Sequence, residues 1–238
     1  LARIRNDGSG VGDRFTRPAW EERPHPTIRR WLMSWASHVA VSPDGKGVFV
    51  AGLYQTKPFQ KELKFPAGRI YRAPADGALA TFAEVSNEAG NGAKLGGLAF
   101  DNRGNLLICV PGEDRIVVLD SAGKQVGSVK VATPRRVAVH RTSGALYVVS
   151  YKRARVYRTD KQLIKLDGWK TGKELARIAL PTSGARAVMA LDDSGQTPVI
   201  WVGVDRSKAG DAYALAERAH VLRIENRAVV GDDGARQA

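Results

Sequence analysis

Cysteine is almost absent from this sequence, because Cys109 is the only one among its 238 residues. A single thiol cannot form an internal disulfide, a cysteine-rich zinc site or a covalent c-type haem attachment within this segment. Cys109 lies in the apolar run at residues 106–110, which predicts a buried and unreactive side chain. The scarcity of cysteine therefore excludes three kinds of site and indicates no compartment.

Long apolar runs and acidic residues are scarce as well. No run approaches the ~20 apolar residues that a membrane-spanning helix needs. Asp and Glu number 24 against 37 Lys and Arg, and the formal net charge of +13 favours an acidic protein, a nucleic acid or another anionic surface as partner. The sequence has no glycine-rich phosphate loop and no nucleophile elbow. Its four histidines lack metal-ligand spacing, so no metal site is predicted and no cofactor is implied.

A short apolar phrase with a central alanine occurs four times. Each copy is followed four or five residues later by a glycine, in turn sequences such as Ser42-Pro43-Asp44-Gly45. The copies are 39 to 59 residues apart, close to the ~40–50 residues of one β-propeller blade with loop insertions. The four copies are Val39-Ala40-Val41, Leu98-Ala99-Phe100, Val137-Ala138-Val139 and Met189-Ala190-Leu191.

Two further strand-like phrases follow each copy, and together they predict four-stranded blades. The second phrase is rich in branched and aromatic residues, and the third alternates polar with apolar side chains as a half-buried strand does. The third phrase occurs at 69–72, 115–118, 155–158 and 220–223, and a further copy at 3–6 predicts that the chain opens inside a blade. The predicted blades are 37–85, 91–131, 132–182 and 183–234, the last with an insertion at 207–218, after an Arg-, Pro- and Trp-rich segment within 1–36.

These phrases resemble the repeats of NHL, YVTN and gluconolactonase-like β-propellers, above all at residues 38–46 and 97–106. The resemblance implies an all-β propeller of about four recognisable four-stranded blades plus a partial blade. Because members of these families usually close with more blades, we expect the chain to be part of a larger six- to eight-bladed ring. The remaining blades would come from the same protein or from another subunit. A periplasmic or secreted location is a further expectation from the resemblance.

In such propellers, the loops that enter the innermost strands surround the central channel. A gluconolactonase-like calcium site would need a glutamate, an asparagine and an aspartate there, and the corresponding loops of this sequence offer no carboxylate or amide. They offer cationic side chains instead, which suit a carboxylate, a phosphate or an acidic side chain. The predicted anion site at this channel mouth consists of His38, Arg135, Arg136 and Arg186. Structural or solvated arginines are the alternative interpretation.

A second candidate surface is the densest basic block of the sequence, at residues 152–173. We predict that it lies largely on the outer face and edge of the third blade and binds an acidic protein partner. A solvated surface and a nucleic-acid site remain alternatives, the latter because Tyr151, Tyr157 and Trp169 interleave with the basic residues. The residues assigned to this patch are Lys152, Arg153, Arg155 and Arg158.

The leading functional hypothesis is a binding or scaffold module that mediates protein–protein interaction within a larger protein or complex. The first alternative is a quinoprotein- or lactonase-like propeller enzyme acting on an anionic or sugar-derived small molecule. The second is nucleic-acid binding through a basic face, with an affinity that falls steeply with salt. The segment present favours the non-enzymatic hypothesis, because its channel loops lack the oxygen ligands of the lactonase-type site.

Overall fold

The computed structural model describes residues 2–4, 11–14, 38–51, 68–74, 80–85, 95–154, 158–180, 187–195, 197–204, 220–225 and 228–232. The chain divides into two compact units, Leu1–Leu95 and Gly96–Ala238. Within the described ranges, no helix has the length and apolar character required to cross a membrane. The predicted insertion at 207–218 lies outside the described residues.

The first unit contains a two-stranded antiparallel sheet and one four-stranded antiparallel sheet. The two-stranded sheet pairs β1 (Ala2–Ile4) with β2 (Val11–Arg14). The larger sheet has the order β3 (His38–Val41), β4 (Gly47–Ala51), β5 (Arg69–Pro74) and β6 (Ala80–Glu84). The turn between β3 and β4 needs Gly45, whose φ of 72° lies in the left-handed region that glycine adopts without strain.

The second unit contains three four-stranded antiparallel sheets, each with its strands in sequence order. The first is β7 (Leu98–Phe100), β8 (Leu106–Val110), β9 (Arg115–Leu119) and β10 (Gln125–Lys130). The second is β11 (Pro134–Val139), β12 (Leu146–Ala154), β13 (Arg158–Leu166) and β14 (Glu174–Leu180). The third is β15 (Ala187–Asp192), β16 (Val199–Val204), β17 (His220–Glu225) and β18 (Ala228–Asp232).

These four-stranded sheets are the first to fourth blades in chain order, and they confirm the predicted all-β propeller fold. Each alanine phrase forms the first strand of a blade, and each glycine turn leads into the second strand. In the second unit the first strands are neighbours, because β11 contacts both β7 and β15. The repeat therefore predicted the elements that bring the blades together.

The third strand of the third blade extends well beyond the phrase that predicted it. The phrase at 155–158 was expected to be the third strand, but β12 continues to Ala154 and β13 runs from Arg158 to Leu166. Both strands have nine residues, which makes this hairpin longer than its counterparts. Residues 155–157 of the phrase lie outside the described residues, and the third strand carries the later basic residues, among them Lys161 and Lys165.

The core of the second unit lies between blades, because each strand sends alternate side chains to its two faces. Val137 and Val139 of β11 pack with Leu107 and Cys109 of the second blade in one cluster. Tyr147 and Val149, from the opposite face of the third blade, belong to a second cluster with Ile200 and Leu222 of the fourth blade. The third blade thus has one face for the second blade and one for the fourth.

Candidate functional site

The structure places the predicted channel residues at different locations. Arg135 and Arg136 lie together at the start of β11, in the second unit. His38 is the first residue of β3, in the first unit, and Arg186 lies outside the described residues. The geometry of the candidate site is therefore built from the two adjacent arginines and the groups around them.

Arg135 lies against an aromatic ring and has an unsatisfied donor. The β11–β12 pairing shifts register between Pro134 and Arg136, so Arg135 lies in an irregular part of the strand. Its guanidinium carbon is 5.5 Å from the centroid of the Tyr151 ring, within the range of a cation–π contact. Its Nε is buried and has no hydrogen-bond partner among the residues that the structure describes. Because buried polar groups are nearly always paired, this N–H stands out as a donor in need of an acceptor.

Arg136 joins the third blade to the fourth. Its Nε donates a hydrogen bond of 3.3 Å to the carbonyl oxygen of Ala187, the first residue of β15. Burial lowers the pKa of Arg136 from its ordinary value, and the neighbouring positive charge of Arg135 acts in the same direction. Burial of a guanidinium is costly unless polar or anionic groups surround it, and the Ala187 carbonyl is one such group.

Two features of this site were missed by the sequence analysis. Lys161 was not identified as a site residue, and Tyr151 was not placed at the centre of the site. Lys161 is only 2% exposed and lies directly across from Tyr151 in the β12–β13 pairing. Its Nζ is 5.9 Å from the Tyr151 ring centroid. The Tyr151 hydroxyl accepts a hydrogen bond of 2.7 Å from the backbone N–H of Ala187, which fixes the ring between the third and fourth blades. The full extent of the third strand would have revealed the Tyr151–Lys161 pair.

The predicted basic patch lies at the same end of the third blade as the two arginines. Lys152 and Arg153 are among the last residues of β12, where they pair with Asp160 and Thr159 of β13, and Arg158 begins β13. Arg155 lies outside the described residues. Because β11 starts opposite Ser150, the hairpin extends past the start of β11 at this end. Arg135 and Arg136 and the backbone of Lys152, Arg153 and Arg158 thus lie at one end of the third blade, which we call the basic end and define by Arg135, Arg136, Tyr151 and Lys161.

The opposite end of the second and third blades also has a cleft, which we call the turn end. It has a volume of about 240 Å³ and is lined by Asp101, Ser143, Asp167 and Trp169 among others. Its two carboxylates are already hydrogen-bonded within the chain. Asp101 accepts four hydrogen bonds, and Asp167 accepts bonds from the Thr171 hydroxyl and the backbone N–H of Lys173. This arrangement stabilises turns, and it offers a ligand little unsatisfied polarity.

The fourth blade has an exposed apolar face at positions that are buried in the blades before it. Trp201 pairs with Ala190 as Tyr147 pairs with Ala138, yet Trp201 is 38% exposed and Tyr147 only 4%. A cation lies over the ring at both positions, Arg223 at 5.9 Å from the Trp201 centroid and Lys165 at 5.4 Å from that of Tyr147.

A second position on this face behaves in the same way. Val221 lies opposite Gly203 as Leu163 lies opposite Val149, and it is 41% exposed against 3% for Leu163. In the third blade, these positions are covered by the fourth blade. We call the surface of Trp201 and Val221 the open face of the fourth blade.

The first blade shows the complementary pattern on its other face. Val39 occupies the same place in the repeated phrase as Val137, which is 7% exposed because it packs against the preceding blade. Val39 is 47% exposed, and Val41 is exposed as well. Both units therefore carry an apolar blade face of the kind that is buried between blades elsewhere in the second unit.

In the part of the chain that the structure describes, no group of three or more His, Cys, Asp or Glu side chains could hold a metal ion. His140 is buried, and its Nδ1 lies 2.7 Å from the Ser143 hydroxyl, with which it shares a hydrogen bond. This histidine therefore supports a turn of the third blade.

Comparison with known proteins identifies the fold. No family model matches the chain, and no curated protein sequence matches it. Among solved structures, one described as streptogramin B lyase is 15% identical with a TM-score of 0.50 and covers 88% of this chain and 56% of its own. Another, virginiamycin B lyase from Staphylococcus aureus, is 14% identical with a TM-score of 0.53 and covers 97% of this chain and 61% of its own.

A third solved structure, the calcium-binding protein regucalcin from Agrobacterium tumefaciens, is 18% identical with a TM-score of 0.36 and covers 47% of this chain and 36% of its own. At these identities the comparisons establish the fold alone. The chain spans 56% and 61% of the length of the two lyase structures. The chain is a β-propeller.

Proposed function

We propose that this chain is a binding and scaffold module whose open face on the fourth blade packs against a further propeller blade of the same polypeptide. The observation that carries the proposal is the exposure of Trp201 and Val221 at positions where Tyr147 and Leu163 are buried by the next blade. Apolar surface of this kind is costly in water, and contiguous exposed patches mark interaction surfaces.

The kind of structure that would cover the open face follows from what covers the equivalent face of the third blade. The face that carries Tyr147 and Val149 is covered by side chains of the next blade, including Met189 and Leu191 of its first strand. A blade with two such aliphatic residues, two positions apart on its first strand, would cover Trp201 and Val221 in the same manner. The length of the two lyase structures supports the proposal, because each contains more chain than aligns with this one.

The enzymatic alternative rests on the fold alone. The two similar structures are of lyases, which are enzymes. At 15% and 14% identity, the similarity assigns no residue role to this chain. An enzyme would be expected to convert an anionic or sugar-derived small molecule, whereas a scaffold binds its partner without turnover.

The proposal is tested by thiol accessibility at equivalent positions. Cys109 is buried, so a cysteine introduced by Val221→Cys is the one expected to react with a maleimide, and Leu163→Cys is the matched control at the covered position. In the 238-residue chain, Val221→Cys should react at least roughly a hundredfold faster than Leu163→Cys, because only the second needs local opening. In the native polypeptide, whose intact mass is measured first, both positions should be protected alike.

Two outcomes contradict the proposal. A native polypeptide in which position 221 reacts as fast as in the 238-residue chain has no blade on this face. A native polypeptide of the mass of this chain, protected at position 221 only in a dimer, has a second copy on the face and not a further blade. A longer polypeptide that protects position 221 as a monomer supports the proposal.

A further inference from the structure

The basic end of the third blade contains a buried donor without an acceptor. The Nε of Arg135 is shielded from solvent and makes no hydrogen bond within the described chain. An N–H in this state loses its hydration without compensation, so an acceptor that reaches it gains more than it would on an open surface. The missing acceptor is the first indication of a ligand at this place.

Positive charge is concentrated around the same ring. Arg135 and Lys161 both lie within 6 Å of the Tyr151 centroid, and Arg136 is the next residue along β11. Lys161 is buried, and burial also lowers the pKa of Arg136. The positive charge of Arg135 also acts to lower the pKa of Arg136, so these two adjacent guanidinium groups disfavour each other's charged form. An anion between them would offset the repulsion.

Two acidic side chains in the connection between β8 and β9, near this end, already have partners. Asp114 lies in the connection between β8 and β9, and its Oδ1 accepts a hydrogen bond of 2.7 Å from the backbone N–H of Thr133. The neighbouring Glu113 carboxylate forms an ion pair with Arg115. Neither contact involves Arg135, so its Nε retains the capacity to bind an external anion.

We propose that the basic end binds a carboxylate, which accepts a hydrogen bond from the Nε–H of Arg135 and lies beside Tyr151 and Lys161. A carboxylate is planar and presents two oxygens in the arrangement that matches the Nε and Nη edge of a guanidinium. A phosphate would bring additional charged oxygens that need further donors, while Arg135 offers one unsatisfied N–H. The site lies within the third blade and the start of the fourth, and it does not depend on a further blade.

The carboxylate has two possible sources, a free organic acid or an acidic side chain of another protein, and the experiment separates them. Isothermal titration calorimetry of the 238-residue chain is performed with succinate, with an N-acetylated hexaglutamate peptide and with inorganic phosphate, at constant ionic strength in a buffer free of carboxylates. Binding of succinate indicates a free acid as a sufficient ligand, and binding of the peptide alone indicates an acidic protein segment. Both results support the carboxylate site.

Three substitutions test the geometry. Arg135→Gln removes the charge and the guanidinium edge, and it should weaken carboxylate binding about tenfold or more, the loss expected for a hydrogen bond to a charged group. Arg135→Lys keeps the charge without the planar edge and should recover only part of the affinity. Arg177→Gln is the matched control, because Arg177 is an exposed arginine of β14 that pairs with Glu174. It should bind as the unsubstituted chain does.

A measurement on the unsubstituted protein guards against variants that fail to fold. In ¹H–¹⁵N spectra of arginine Nε groups, the Arg135 signal, assigned by its loss in Arg135→Lys, should shift on addition of the carboxylate. Three results overturn the proposal. The first is that neither succinate nor the peptide gives a calorimetric heat or shifts the Arg135 signal. The second is that Arg135→Gln binds the carboxylate with the same affinity as the unsubstituted chain. The third is that phosphate binds more tightly than either carboxylate.

Discussion

The substitution Trp169→Phe tests whether a hydrogen bond between blades holds the turn end of the second unit. The Trp169 indole N–H donates to Oδ2 of Asp101 at 3.1 Å, which links the third blade to the second. Asp101 is a buried carboxylate, and it also accepts bonds from the backbone N–H groups of Arg103 and Asn105 and from the Asn105 amide. Phenylalanine keeps an aromatic ring beside Gly127 and removes the N–H.

The magnitude follows from the charge and the burial of the acceptor. A hydrogen bond to a charged group contributes about 1.5–3 kcal/mol. Asp101 keeps three of its four bonds in the variant, and the adjoining cleft of about 240 Å³ admits water that replaces part of the fourth. We therefore expect a loss near the lower limit, about 1.5 kcal/mol. A double-mutant cycle with Asp101→Asn separates this coupling from the change in ring packing.

The stabilisation by the Trp169–Asp101 hydrogen bond should decrease as the pH falls. Burial acts to raise the pKa of Asp101, but the hydrogen bonds from Asn105, Trp169 and Arg103 outweigh it and hold the pKa below its ordinary value. A carboxylate with a depressed pKa stabilises the fold above its unfolded-state value of about 3.9, and this contribution is lost as pH falls through the folded-state pKa. The stability difference between Trp169→Phe and the unsubstituted chain should therefore shrink as the pH is lowered from about 6 to about 2.

Urea unfolding followed by circular dichroism at several pH values measures the coupling free energy between Trp169 and Asp101 and its dependence on pH. Trp201→Phe is the control, because Trp201 lies on the open face of the fourth blade and its substitution should give no change that depends on Asp101. A coupling below about 0.5 kcal/mol at neutral pH would refute the reasoning, since contacting residues usually couple by more. So would a coupling that persists unchanged in acid.

Two further substitutions or modifications probe the core. Burial raises the pKa of the Cys109 thiol, so the folded chain should resist a thiol reagent at about pH 8 and react only in urea, and rapid labelling without denaturant would contradict the described burial. A Cβ at Gly127 would lie 2.5 Å from Cζ3 of Trp169, so Gly127→Ala should lower the free energy of unfolding by about 1–3 kcal/mol. Gly195→Ala, whose nearest atom is 3.7 Å away, should change it by less than about 0.5 kcal/mol, and equal effects of the two substitutions would argue against the clash.

The fold could be predicted because the repeat encodes it locally. The first strand of each blade follows from an apolar phrase such as Val137-Ala138-Val139, and the turn after it follows from a glycine with positive φ, as at Gly144. The extent of the third strand of the third blade was not predicted, because the phrase at 155–158 has the right alternation, while the length of the hairpin depends on its pairing with β12. Alternation fixes which face a residue occupies, and only pairing fixes where the strand begins.

The candidate site was predicted in part for the same reason. Arg135 and Arg136 could be found because they precede a repeated phrase whose position in a blade is known. Lys161 could not, because its place beside Tyr151 depends on the register of β12 and β13. The bond from Arg136 to Ala187 spans 51 residues and leaves no local pattern in the sequence.

The third blade and its neighbours place their turn aspartates and the proposed binding residues at opposite ends, and this separation links the fold to the proposed site. At the turn end, aspartates accept backbone hydrogen bonds in the short connections, as Asp101, Asp120 and Asp167 do. Turn chemistry thus fixes negative charge at that end. Arg135, Arg136 and Lys161 lie at the other end, where the connections enter the first strand and join the second to the third. The net charge of +13 favours the approach of an anion to the chain as a whole, and the proposed contacts with Arg135 would select where it binds. The same repeat that builds the turns therefore leaves the opposite end free to carry the binding residues.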